Sequence, residues 1–410
     1  MEGDHETHGM PLPFEEIDET KKKLGLPSET FYLPDGVLDY FQTRFATLIE
    51  ARKEWNDKLN IALSNPSFKI FWNTTLNHQL PELIYPDFDR GTSIATRKAF
   101  GITLDKFSEQ LPHLVGGSAD LEPSNYTTNF ANRYGDFSQS NLSGRNLAFG
   151  VREFPMSTIC NGISLHGGLI PFGGTFLVFS DYSRPAIRLS AIQETQVIYE
   201  FTHDSFYVGE DGPTHQPIEH IMSLRAIPNL NVYRPADANE TAVSMECILN
   251  DNSMPSVILL SRQGLPQLDF DLTLIKNGVR SGGYILDDCD GEPDLIFIAT
   301  GSEVSLCLNV KSGLKNFKSR VVSMPCLERF FQLDKNEREK IIPTKKGVRI
   351  SIEAGVTMGW EKLTGTDGLN IGIEHFGSSA PQKDLEKEFG FTTENIKNLI
   401  SEHIQKVKLR

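Results

Sequence analysis

Residues 201–217 read Phe201-Thr202-His203-Asp204-Ser205-Phe206-Tyr207-Val208-Gly209-Glu210-Asp211-Gly212-Pro213-Thr214-His215-Gln216-Pro217, directly after the apolar run Val197–Phe201. Two histidines, three acids and several turn formers at the end of an apolar strand exceed any packing requirement, so the stretch reads as a functional loop. Further short apolar runs, Pro112–Val115, Leu230–Tyr233 and Val257–Leu260, have Val, Ile and Leu on both parities. Such runs suit strands covered on both faces, as in a parallel sheet with crossover helices. Ligands bind such sheets at the carboxyl ends of the strands, where this loop lies.

Working outward, turn material from Gln263 to Gly283 precedes a second α/β series. Its strand candidates are Leu295–Ala299, Val321–Ser323 and Val348–Ile352, with a helix after Thr300-Gly301-Ser302 and Ser302 as its N-cap. The expected organisation is a helical linker over 1–89, one α/β domain over 90–272 and another over 273–410. Charges alternate with aromatics from Leu38 to Leu63, and prolines recur in the flanking loops. That pattern fits helices leaning on another body.

The 410 residues carry 40 Lys+Arg against 54 Asp+Glu, a net charge of -14 that repels a phosphate backbone. Beyond Lys21-Lys22-Lys23 there is no basic cluster, and no apolar run approaches the ~18 residues of a membrane span. The acidic start MEGDHETHGM is unlike a signal peptide. Cys160, Cys247, Cys289, Cys307 and Cys326 form no CxxC pair and read as reduced core thiols. The expectation is a cytoplasmic protein that binds neither nucleic acid nor membrane.

Three more loops carry unexplained polar or aromatic residues. Leu114-Val115-Gly116-Gly117-Ser118-Ala119-Asp120 allows close backbone approach to a ligand, or is a tight turn with Asp120 as cap. Phe149-Gly150-Val151-Arg152-Glu153-Phe154-Pro155-Met156 places a carboxylate among apolar residues. If buried, Glu153 is a proton-handling acid; the alternative is an ion pair with Arg152. Phe176, Phe179 and Tyr182 are spaced three apart, forming either a stacking wall for a flat heterocycle on one helical face or an ordinary core stripe.

The motifs GGSADL, GRNLAFGVREF, GGTFLVFSDY, HDSFYVGEDGPTHQP and ILLSRQGLPQL, in that order, resemble the transketolase family. The resemblance continues through ATGSEVSL and HFGSSAP, and back to Thr7-His8-Gly9-Met10-Pro11-Leu12. It implies a thiamine-diphosphate pyrimidine-binding fold followed by the family's C-terminal fold, and transfer of a two-carbon ketol unit from a ketose phosphate to an aldose phosphate. Glu153 resembles the glutamate that bonds the aminopyrimidine of thiamine diphosphate, and Phe176, Phe179 and Tyr182 the aromatic walls around that ring. His203 and His215 join Glu153 as catalytic candidates. Arg97, Ser124, His203 and Arg262 resemble the sugar-phosphate grip, Asp211 the acid that reads the C2 hydroxyl, and His215 the histidine near the carbonyl. His8 resembles a histidine closing the diphosphate side, and Asp120 a residue near the dimer seam.

The family's GDG metal motif and its following Asn pair do not occur in the sequence. The resulting expectation is that the N-terminal diphosphate-binding domain is absent, residues 1–10 being a remnant. Mg²⁺ or Ca²⁺ is then held elsewhere, and no residue of this chain is assigned to it. Two readings follow: a split transketolase subunit, inactive alone and active in a heterotetramer with a separate diphosphate-binding chain, or a truncated silent paralogue acting as an interaction protein. A homodimer is the other expected assembly. Phe206-Tyr207 stands where the family has Ile-Gly, which implies altered substrate approach.

Overall fold

Apolar side chains on both parities leave a strand no face for water, and the runs that have them become central strands. In the computed structural model, which describes residues 3–408, the strands are β1 (Ser93–Ala95), β2 (Leu114–Ser118), β3 (Ile170–Phe176), β4 (Ile198–Thr202), β5 (Asn231–Tyr233), β6 (Ser256–Leu260), β7 (Gly264–Pro266), β8 (Tyr284–Asp287), β9 (Leu295–Ala299), β10 (Ser319–Ser323), β11 (Val348–Ile352) and β12 (Leu369–Ile371). One sheet has the order β2-β3-β4-β6-β5 and is parallel throughout. The second has the order β12-β11-β9-β10-β8, parallel except for β8 against β10. β1 and β7 form a small antiparallel ribbon.

The chain divides into two units, Met1–Trp72 and Asn73–Arg410. The first contains the helices Phe14–Lys23 and Val37–Leu63, in keeping with the periodicity read from Leu38 to Leu63. Within it, the Trp55 and Trp72 rings lie 6.1 Å apart. The second unit holds both sheets. Phe100, Leu104, Phe107, Phe130 and Phe172 fill one face of the first sheet; Tyr199, Phe201, Val257 and Leu259 fill the other. Full burial of each such side chain contributes about 1.5–3 kcal/mol.

Three local expectations change. Ile170–Phe176, with Pro171, Gly173 and Gly174, is a fully buried strand rather than a loop before an aromatic helix. Gly173 lets the Met156 side chain pack close, since a Cβ would stand 3.0–3.1 Å from it. The turn material from Gln263 contains β7 and the helix Leu272–Ser281. Asp271 caps that helix, its Oδ1 accepting from Thr273 N at 2.8 Å, and Gly282 ends it at φ +81°. Ser302 precedes the helix Glu303–Gly313 but makes no cap bond; its hydroxyl donates to Glu303 Oε1 at 2.6 Å. The five cysteines are free thiols, and no helix among the described residues is long and apolar enough to cross a membrane.

Candidate functional site

The loops after β2, β3, β4 and β6 meet at the carboxyl edge of the parallel sheet. Phe176 ends β3, Phe179 closes a 3-10 turn and Tyr182 lies in the first turn of the helix Ser180–Gln193. The three rings stack although they occupy three elements and not one helix face. Phe176 and Phe179 are 5.9 Å apart at 7°, and Phe179 and Tyr182 are 6.1 Å apart at 24°. His203 stacks on the inner ring at 3.7 Å, and His215 meets Phe179 edge-on at 5.6 Å. Tyr182 is 63% exposed, so the outer end of the stack presents an open aromatic surface.

His203 leaves β4 at φ +60° and Asp120 follows β2 at φ +62°. Side-chain-bearing residues hold that conformation at about 1–3 kcal/mol each, strain that concentrates at functional loops. His203 is buried, and its Nδ1 pairs with Thr202 Oγ1 at 2.8 Å. Burial, reinforced by Arg97, Arg262 and His215, lowers its pKa to about 3, so the ring is neutral near pH 7.

Arg97, at the start of the helix Thr96–Gln110, donates from one terminal nitrogen to the Ser124 carbonyl at 2.8 Å and stands 5.2 Å over the Tyr126 ring. It takes the backbone of Ser124, not its hydroxyl. Burial lowers its pKa; Arg262, exposed beyond β6, adds to the lowering. On β4, Glu200 is fully buried with both carboxyl oxygens unpartnered. Burial lifts its pKa well above 4.5, against the pull of Arg97.

The loop itself is held by the second α/β body. Gln216 Nε2 donates to the carbonyls of Gly209 (2.8 Å) and Ser378 (2.9 Å), and its Oε1 accepts from Ser378 N at 2.9 Å. Ser379 Oγ donates to the Glu210 carbonyl at 2.5 Å. Arg234, fully buried, donates to Asp204 Oδ2 at 2.8 Å and Thr300 Oγ1 at 3.0 Å, and also bonds Glu303. Phe206 and Tyr207 stack at 4.2 Å, and Phe206 packs against Phe389 and Phe391. This corrects the expected effect on substrate approach: the Phe206 and Tyr207 side chains are buried beneath the loop.

Residues 92–267 match the family model for the transketolase pyrimidine-binding domain, and residues 282–392 that for the transketolase-like C-terminal domain. Both segments are similar to transketolase domains. The transketolase of Aquifex aeolicus is 42% identical over 402 residues, covering 97% of this chain and 58% of the relative; that of Bacillus subtilis is 40% identical over 408 residues, covering 97% and 61%. Among solved structures, transketolase from Leishmania mexicana superposes with a TM-score of 0.89 at 38% identity, over 98% of this chain and 59% of that one. A Pichia stipitis transketolase complex with sedoheptulose 7-phosphate gives 0.90 at 33%, over 99% and 61%. The chain thus spans about three-fifths of the length of these relatives.

The transketolase thiamine-diphosphate-binding domain model matches residues 1–81. This corrects the expectation that the domain is absent and that this segment is only a linker. A loop motif such as GDG is a few residues of a domain, and its absence does not remove the rest. The separate partner chain, the heterotetramer, the split subunit and the truncated paralogue rested on that absence and lose their support.

Of the residues singled out from the transketolase motifs, the structure brings together Phe176, Phe179, Tyr182, His203 and His215 by ring contacts, and Arg97 with Ser124 by a hydrogen bond. Glu153 begins the helix Glu153–His166, half-buried, and its carbonyl accepts from Ser183 Oγ at 3.1 Å beside Tyr182. No ion pair joins it to Arg152, whose Nε donates to the Phe149 carbonyl at 2.6 Å. Asp120 and Asp211 are exposed, and Asp120 caps no helix. His8 lies in the first unit, exposed, after the turn His5–Thr7. Sequence reasoning missed Glu200, Arg234 and Gln216. A charged residue within or just after an apolar run was the available signal for the first two.

Among the described residues, Asp181, Glu219 and His220 form one group with ligand atoms within 4.8 Å of one another. Asp181 faces Nε2 of the imidazole at 3.2 Å and Glu219 faces Nδ1 at 3.7 Å. The acids flank opposite ring nitrogens, so no single ring nitrogen shares a site with both carboxylates as in a metal cradle.

Proposed function

We propose that this chain acts in transketolase chemistry, moving a two-carbon ketol unit from a ketose phosphate to an aldose phosphate, with its pyrimidine-binding domain taking the aminopyrimidine of thiamine diphosphate. The observation that carries this is the stack of Phe176, Phe179 and Tyr182, closed on its inner side by neutral His203 and open at Tyr182. A flat heterocycle fits such a wall, so the residues present suit the cofactor's pyrimidine half. When bound, the cofactor supplies a carbon nucleophile.

The protein's residues do the rest. Glu153, at the start of its helix, exchanges a proton with the pyrimidine nitrogen. Neutral His203 donates or accepts hydrogen bonds without adding charge, and His215 faces the reacting carbonyl. Arg97 and Arg262 supply guanidinium charge for the sugar phosphate, and Asp211 reads a hydroxyl. Diphosphate and metal binding are left to the thiamine-diphosphate-binding domain. We place the working unit as a homodimer, because Phe154, Ile159, Leu165, Leu189 and Ile192 are exposed on two packed helices, a face that a second copy covers.

The test is incubation with thiamine diphosphate, Mg²⁺, xylulose 5-phosphate and ribose 5-phosphate. Sedoheptulose 7-phosphate should appear. Cofactor binding without product, under conditions where a known transketolase is active, would refute the activity.

A further inference from the structure

We propose that Glu200 makes anion binding at this site proton-coupled: an anion settling between Arg97 and Arg262 is accompanied by a proton on the Glu200 carboxyl. The inference rests on the reading of those two arginines as the sugar-phosphate grip, and goes beyond it to a residue outside that grip.

The geometry carries the argument. Glu200 is fully inside the sheet, and neither carboxyl oxygen has a hydrogen-bond partner. Its β4 register neighbours are Gly174 on β3 and Ile258 on β6, neither of which offers a side-chain polar group. Gly174 is there to make room: a Cβ at that position would stand 2.8 Å from Asn125 Nδ2 and closer still to Glu200 Oε2. The carboxyl therefore lies beside the Asn125 amide, which accepts from Thr202 Oγ1 at 3.0 Å and donates to Ser118 Oγ at 3.0 Å. Thr202 in turn contacts His203.

From the helix Thr96–Gln110, Arg97 is the charged group that acts on Glu200, and its buried Nε is likewise unpartnered. Arg97, Arg262 and His215 all act electrostatically on His203, and His215 meets Phe179 edge-on. An ionised Glu200 cancels part of the arginine charge that an anion needs. A neutral Glu200 leaves that charge to the ligand. Burial favours the neutral form. The step is balanced: one proton arrives from solvent, one O–H bond forms on the carboxylate and no ligand bond is broken.

Sulfate is a suitable probe because its charge does not change near neutrality. Its dissociation constant is to be measured by calorimetry from pH 6 to 9.5 on the native protein, on Glu200→Gln and on Arg262→Ala. Gln keeps the shape and holds the group neutral, and His215 is common to the first two proteins, so it cancels in their ratio. The native constant should rise relative to that of Glu200→Gln by up to about tenfold per pH unit above the Glu200 pKa, the slope for one linked proton. If Glu200→Gln fails to fold, titration of the native protein in buffers of different ionisation enthalpy should show proton uptake on sulfate binding. A ratio independent of pH, or no uptake, overturns the coupling while leaving the anion pocket standing. Absence of sulfate binding, or binding unaffected by Arg262→Ala, overturns the pocket itself.

Discussion

Arg234 Nε donates to Asp204 Oδ2 at 2.8 Å, inside a protein region that excludes water from both side chains. Asp204 follows His203 directly, and the same guanidinium reaches Thr300 and Glu303 in the second α/β body. One cation thus fixes the root of the functional loop to a neighbouring domain. Removing it leaves two buried acids without their counter-charge, a loss of roughly 3–5 kcal/mol. Arg234→Met should lower the thermal midpoint by many degrees and raise KM for sugar phosphates. Unchanged thermal unfolding would show that the ion cluster is not what joins the bodies.

Glu153→Gln keeps the side chain's size and removes its proton exchange. Turnover should fall about 10²–10⁴-fold, the usual contribution of a positioned acid or base. Cofactor affinity should change far less, since the aromatic stack is untouched. An equal loss in both, measured by steady-state kinetics and calorimetry, would assign Glu153 to binding alone.

The pH dependence of stability isolates Glu200. Its folded pKa lies above the unfolded value of 4.5, so the native state binds more protons than the unfolded chain in the interval between them. Its contribution is complete below pH 4.5 and is lost as pH rises through the folded pKa. Glu200→Gln should therefore gain stability relative to the native protein as pH is raised above 4.5. His203 acts oppositely: lowered to about 3, it stabilises fully above pH 6.5 and progressively less towards pH 3. Thermal melts of native, Glu200→Gln and His203→Gln proteins from pH 4 to 9 check both slopes.

Gln216 closes the loop with three hydrogen bonds, each worth about 0.5–1.5 kcal/mol. Gln216→Ala should loosen residues 205–217, seen as faster amide exchange there, with a modest fall in thermal midpoint. Gly377→Ala should do the same from the other side, because a Cβ on Gly377 collides with Gln216 Oε1. Exchange confined to other segments would refute the clamp.

If the exposed face of the helices Glu153–His166 and Ser180–Gln193 is the homodimer seam, the native protein should elute as a dimer. Ile159→Glu together with Ile192→Glu should shift it towards monomer in light scattering while preserving the circular dichroism spectrum. A monomeric native protein would exclude this assembly.

Much of the site was legible because β4 and its loop announce themselves: five buried residues run straight into His203 and the acids. Strands β9 and β11 were equally plain, β9 being apolar on both faces and β11 alternating Val348, Ile350 and Ile352 with Arg349 and Ser351. β3 did not stand out, since Pro171, Gly173 and Gly174 interrupt its apolar run. Their reason is tertiary: Gly173 admits Met156, and Gly174 admits the Glu200 carboxyl. No periodicity encodes such close approaches. Arg234 and Gln216 were illegible for a related cause, as their partners lie 30, 66 and 162 positions along the chain. The helix Val37–Leu63 was visible in charge and aromatic spacing, whereas the match of residues 1–81 to a thiamine-diphosphate-binding domain was obscured by reliance on one loop motif.

The pairing of Phe206 with Phe389 and Phe391 has a bearing on how the loop can be altered. Trimming the distal helices would wet two aromatic rings at the foot of the loop 201–217 and let it swing. Conversely, filling that apolar seam more tightly would stiffen the segment from behind without touching any group proposed to meet a sugar. The rear domain thus offers a mechanical handle on the front one, through grease as well as charge.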